Sequence, residues 1–146
     1  MRQLLGVAIF LAVALPLIAD EKEDATKKLN GTYEVTAILI EGKPDNEKKD
    51  KVTLIFKDGT IQVKEGDKTE EDAKFTVDPS KKPAQIDITP DKGLKDTILG
   101  IYELKETDKG AELTIAIGKE KTERPKDFKG EGKDVMVLKL FRKKEK

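Results

Sequence analysis

The chain has 146 residues, 40% of them charged, with 29 lysines and arginines set against 29 aspartates and glutamates, so its formal charge is zero. Lysine is interleaved with acid almost throughout, which leaves no one-signed field for nucleic acid or an anionic membrane. Cysteine and histidine are both absent, which removes disulfide staples, thiolate and imidazole metal sites, and the nucleophile and imidazole pairs of most triad enzymes.

A hydrophobic share of 36% is enough for one modest core in one domain. The apolar residues fall in short regular runs rather than being scattered, which favours order over disorder. Residues 1–19 place Arg2 ahead of an apolar run from Leu4 to Leu15, followed by Pro16 and by Ala19 just before a very polar stretch. That is the pattern of a secretory signal peptide cut after Ala19. The alternative is a membrane anchor, but the run is short for a span of about 20 residues and Pro16 interrupts it. Cleavage would leave the remainder secreted or periplasmic, with no stable membrane insertion. Residues 20–28, DEKEDATKK, are polar without periodicity and read as a flexible or briefly helical lead-in. The domain then spans residues 29–142, and residues 143–146 form a basic tail.

Within the domain, alternation at a period of two predicts eight strands. Gly31–Ile40 alternates around Tyr33, Val35, Ala37 and Leu39 and then becomes apolar on both sides, which predicts cover on both faces or a bulge. Glu41–Lys51 is a charged loop. Val52, Leu54 and Phe56 lead through Asp58 and Gly59 into Ile61 and Val63, and Asp-Gly between two alternating runs is the signature of a two-residue hairpin. Ala73, Phe75 and Val77 make the fourth run, Gln85–Thr89 the fifth and Thr97–Leu104 the sixth. Gly100 inside that sixth run marks a bend or a close backbone approach. Leu113–Ile117 and Val135–Arg142 complete the set. Eight sequential antiparallel strands without intervening helices either close on themselves or leave two long edges. The expected fold is therefore all-β, an eight-stranded antiparallel up-and-down barrel.

Leu29, Gly31, Thr32 and Tyr33 resemble the glycine, any residue, tryptophan motif that opens the first strand of lipocalins, with tyrosine in the tryptophan position. The segments LNGTYEVT, FTVDPSKKPAQIDIT, ILGIYELK, ERPKDF and VMVLKLFR, in that order, resemble the lipocalin-like domain of uncharacterised secreted proteins of planctomycete bacteria. The resemblance spans Leu29 to Arg142 and implies a small exported lipocalin-like barrel with no assigned activity. It also implies a structural closure of the barrel at Gly31 and Tyr33, with Tyr33 packing near an arginine from the end of the barrel, Arg142 on the last strand as the matching candidate and Arg124 as a second possibility, a guanidinium on an aromatic face.

Carboxylate pairs are the catalytic chemistry that composition leaves open. Asp87, Asp91, Asp96 and Glu103 are close in sequence, but alternation puts Asp87 and Glu103 on the solvated outer face, so no enzyme is expected. The loops DPSKKP and TPDKG lack calcium-loop spacing and carry lysines beside their acids, so no metal or cofactor is expected. Asn30-Gly31-Thr32 matches a glycosylation sequon but also reads as a turn entering a strand. The lysine pairs Lys81 with Lys82 and Lys143 with Lys144 read as solubilising charge. The interior set suggests a role through its chemistry: Val35, Leu39, Phe56, Phe75, Tyr102, Ile115 and Val137 are the candidate lining for a small hydrophobic ligand. The competing expectation is that the same side chains fill the barrel, leaving an interaction module with no ligand and with partners the sequence does not name.

Overall fold

All eight alternating runs form strands, as a period of two dictates. The computed structural model describes residues 20–45, 52–91, 96–118, 123–132 and 134–144. Among them are the strands β1 (Gly31–Ile40), β2 (Lys43–Pro44), β3 (Val52–Lys57), β4 (Thr60–Glu65), β5 (Lys68–Asp78), β6 (Gln85–Pro90), β7 (Ile98–Thr107), β8 (Gly110–Gly118) and β9 (Val135–Lys143), with one helix, α1, over residues 20–28. The signal-peptide segment 1–19, most of the charged loop after Asp45, and the last two residues of the basic tail lie outside the described residues. No helix among those described is long and apolar enough to cross a membrane.

The strands pair antiparallel in chain order, and β1 pairs with β9 from Glu34 opposite Phe141 to Ile40 opposite Met136. The sheet therefore closes into an eight-stranded up-and-down lipocalin-like barrel, with β2 as an extra strand. β1 serves two neighbours, pairing with β3 through Gly31 to Glu34 and with β9 beyond that. The short β2 lies against Leu39 and Ile40 and covers the edge that β3 leaves. This strand was not anticipated in the charged loop; its hairpin turns through Glu41 and Gly42, both at positive φ. The Asp58-Gly59 hairpin takes the form its sequence predicts, with φ of 45° and 88°.

Because consecutive strands run in opposite directions, the connections sort to two ends. The closed end gathers α1, the start of β1, the β3–β4 and β7–β8 hairpins, the β5–β6 connection and the end of β9. The mouth gathers the connections leaving β1, β4, β6 and β8. The main core lies in the bore and contains Leu29, Tyr33, Phe56, Phe75, Ile86, Leu113 and Leu140 among others. Tyr33, Phe56 and Phe75 stack edge to face, with centroid separations of 5.2 and 5.4 Å. Gly100 makes the close approach its position predicts: a Cβ there would lie 2.8 Å from the carbonyl oxygen of Ala116.

A second cluster lies outside the sheet. Ile101, Ala116 and Val137 are buried there against Leu39, Phe128 and Val135, beneath the segment 123–132. This corrects the expected interior lining at two strands. A register shift between Val35 and Ala37 bulges β1, so Ile38 takes the interior place given to Ala37 and Leu39. On β9, Met136, Leu138 and Leu140 face the bore while Val135 and Val137 face out. A shift of one residue moves every later side chain to the other face.

Candidate functional site

The closed end is held by Arg142. Its Nη1 lies 2.9 Å from the carbonyl oxygen of Lys28, 2.5 Å from that of Asn30 and 3.0 Å from the Tyr33 hydroxyl. Its guanidinium carbon stands 5.4 Å from the centre of the Tyr33 ring, within cation–π range. The Tyr33 hydroxyl donates to the Leu29 carbonyl at 2.9 Å, so this fully buried phenol has both its functions satisfied. Burial pushes its pKa up, opposed by the Arg142 charge and reinforced by Glu106. Gly31 is required here: a Cβ would lie under van der Waals contact with Arg142 Cδ, and its φ of 140° is one that L residues rarely adopt. The Asn30 side chain exchanges two hydrogen bonds with Asp58, at 3.0 and 2.8 Å, tying the chain entering β1 to the β3–β4 hairpin. The sequon asparagine thus has its amide engaged.

Arg124 is not the partner of Tyr33. It lies over β6 and β7, 2.8 Å from Asp87 Oδ1, and donates to the Gly100 carbonyl at 2.7 Å. Asp87, expected in solvent, is therefore half-buried and ion-paired. Its Oδ1 is shielded from water and faces the guanidinium without a well-aligned hydrogen bond. Of the other carboxylates, Glu103 pairs loosely with Lys105 at 3.8 Å. Among the described residues no group of three or more acidic side chains is placed to hold a metal ion.

The bore changes character along its axis. On β3, β4, β6, β8 and β9 the interior residue nearer the closed end is buried: Leu54, Ile61, Ile86, Ile115 and Leu140. The next interior residue toward the mouth is only partly buried: Val52, Val63, Ile88, Ile117 and Leu138. The upper bore is thus aliphatic and incompletely covered by the described residues, over a floor of aromatic rings. No polar or charged side chain is buried in either core among the described residues. Of the seven candidate lining residues, Val35, Phe56, Phe75, Tyr102 and Ile115 belong to the bore, whereas Leu39 and Val137 belong to the outer cluster. Met136 and Leu138 were missed, although exposed Lys139 and the Leu138-Lys139-Leu140 alternation carried the signal.

A concavity of about 950 Å³ opens at the closed end, between α1, the β5–β6 connection and β7. Its walls include Glu21, Asp24, Ala25 and Lys28 of α1, then Pro79, Pro83 and Ala84, then Tyr102, Leu104 and Glu106, with Phe128 alongside. Here α1 has one apolar anchor in the bore, Ala25, and Leu29 follows it into the core. The carboxyl of Asp78, at the end of β5, is held below its usual range chiefly by the Ser80 hydroxyl, which donates to it at 2.5 Å. No protein-family model, curated protein or solved structure matches this chain.

Proposed function

We propose that this chain is an exported, non-enzymatic lipocalin-like protein that holds a small apolar or amphipathic molecule in the mouth of its barrel. The gradient of burial along the bore carries this reading. Aliphatic side chains that stay partly uncovered above a closed floor, with no buried polar group beside them, suit an apolar moiety with no hydrogen bonds to make. Export rests on Arg2, the apolar run and Ala19, and the sequence resemblance to secreted lipocalin-like domains agrees with it.

The floor limits what fits. One layer of interior side chains rises about 7 Å along a strand tilted by about 40°, so one to two uncovered layers accommodate roughly four to eight carbons of an extended alkyl chain. Competition of an alkanoate series from butanoate to dodecanoate against a bound naphthalene fluorophore tests this. Affinity should rise severalfold per methylene and level off by about eight carbons. Failure of every member to bind removes the reading and leaves the alternative, a packed barrel acting through its charged loops, which the buried aromatic floor favours.

A further inference from the structure

Asn30 is held at every polar atom it has. Its backbone N–H donates to the Lys27 carbonyl at 3.1 Å, and its own carbonyl accepts from Arg142 Nη1. In the side chain, Nδ2 donates to Asp58 Oδ1 at 3.0 Å and Oδ1 accepts from the Asp58 backbone N–H at 2.8 Å. One residue thus joins α1, β9 and the β3–β4 hairpin where β1 begins. The next residue has to be glycine, because Arg142 Cδ fills the space of a Cβ and φ is 140°. Closure of the base therefore sets side by side two residues whose link is chemically labile. Without a Cβ, the Gly31 nitrogen meets little steric barrier to attacking the Asn30 side-chain carbonyl.

We propose that Asn30-Gly31 is a self-modifying site, silent while the base of the barrel is closed and reactive once it opens. The Gly31 nitrogen bonds to Asn30 Cγ, the Cγ–Nδ2 bond breaks, and the Gly31 N–H proton leaves with ammonia. Water then opens the cyclic imide at either carbonyl, giving aspartate or isoaspartate, so that amide and water become carboxylate and ammonium. In the closed base Cγ cannot turn onto the Gly31 nitrogen without breaking both hydrogen bonds to Asp58, so reaction requires local opening. The product then opposes reclosure. Aspartate puts an anionic oxygen where Nδ2 faced Asp58 Oδ1, which turns a hydrogen bond into a repulsion between carboxylates. The guanidinium in contact with residue 30 is already committed to two main-chain carbonyls and Tyr33. Isoaspartate instead lengthens the main chain by a methylene and displaces the carbonyl that Arg142 holds. A molecule whose base has stayed open long enough to react is thereby marked and weakened, whether or not the mouth is occupied.

Peptide mapping by mass spectrometry, on protein incubated at mildly alkaline pH with and without urea, tests it. In urea Asn30 should deamidate well ahead of Asn46, which precedes a glutamate. In the folded protein Asn30 should react at least about tenfold more slowly than in urea. Asp58→Gly suits the positive φ of the turn and removes the acceptor of Nδ2, so it should speed the folded reaction severalfold. Asn30→Asp reproduces one product and should lower the thermal midpoint. In an Asp58→Gly background the same change should lower it much less, because the repelling carboxylate is gone. Protein deamidated in urea and then refolded should also melt below unreacted protein. Equal rates at Asn30 with and without urea, a folded rate unchanged by Asp58→Gly, or an Asn30→Asp midpoint that stays at the parent's would each overturn the proposal.

Discussion

The closed end and the mouth are made from the same eight strands but hold their contents differently. Around the start of β1 at the closed end the polar groups answer one another: Arg142 answers two carbonyls and Tyr33, Tyr33 answers Leu29, and Asn30 answers Asp58. Large bore side chains such as Tyr33, Phe56, Leu113 and Leu140 are buried there. At the mouth the interior residues of β3, β4, β6, β8 and β9 are aliphatic and partly covered, while Ile38 of β1 stays buried, and apolar packing moves to the outside of the sheet, where residues 123–132 lie over Val137 and Ala116. A barrel that concentrates its order at one end can leave the other free to accept a guest, since local stability need not be uniform.

Truncation at the two ends gives the sharpest test of that contrast. Phe56→Ala removes the middle ring of the aromatic stack and should cost about 3–5 kcal/mol in urea unfolding. Ile117→Ala, on the partly covered layer, should cost only about 1–2 kcal/mol, because some of its surface already faces solvent. Equal losses would mean that the mouth is packed as tightly as the base.

The polar closure comes next in size. Arg142→Met leaves the carbonyls of Lys28 and Asn30 without their donor and should cost about 2–3 kcal/mol. Arg142→Lys should recover less than half, because a point charge on a flexible stem cannot span the same acceptors while stacking on Tyr33. Tyr33→Phe should cost about 1–2 kcal/mol near neutrality. Burial raises the Tyr33 pKa, so the folded state favours the neutral phenol. That contribution is complete below the ordinary value of about 10 and is lost as pH rises through the higher folded value. Between pH 8 and 11 the urea midpoint of Tyr33→Phe should therefore fall less than that of the parent. The comparison cancels the lysines common to both.

The eight barrel strands, their order and their closure were legible, though β2 was not, because turn chemistry at Asp58-Gly59 and clean alternation at Leu54, Phe56, Ile61 and Phe75 leave one register that buries the apolar face. For Tyr33 the expected partner was Arg142, with Arg124 second, and the return of β9 to the start of β1 decides between them. The phase of β9 was not legible from its first four residues, Val135 to Leu138, because both faces are apolar when a loop covers the outer one. β1 lost its phase for a different reason: one extra residue near Thr36 inverts every later position, and alternation cannot reveal an insertion inside a run that is apolar on both sides. The cleft beneath α1 was hidden because its walls come from three segments far apart in sequence, one of them a polar stretch with no period.

The smallest effect expected is at the Arg124 and Asp87 pair, where it bears on how residues 123–132 stay on the outer cluster. Both side chains keep substantial contact with water, at 22% and 39% exposure, so screening holds the ionic part below about 1 kcal/mol. The two halves are nevertheless unequal. Asp87→Asn removes a charge but leaves Arg124 donating to the Gly100 carbonyl. Arg124→Met removes that bond and also strands the shielded Oδ1 of Asp87. Arg124→Met should therefore cost more than Asp87→Asn, with both below about 1.5 kcal/mol. Because Arg124 anchors a covering segment rather than the barrel, the loss should register as faster amide exchange at Ile101 and Val137 before it shifts the global midpoint. A shift in the midpoint with no local change in exchange would mean that the outer cluster and the bore unfold as one unit, and the contrast between the two ends would then belong to packing alone.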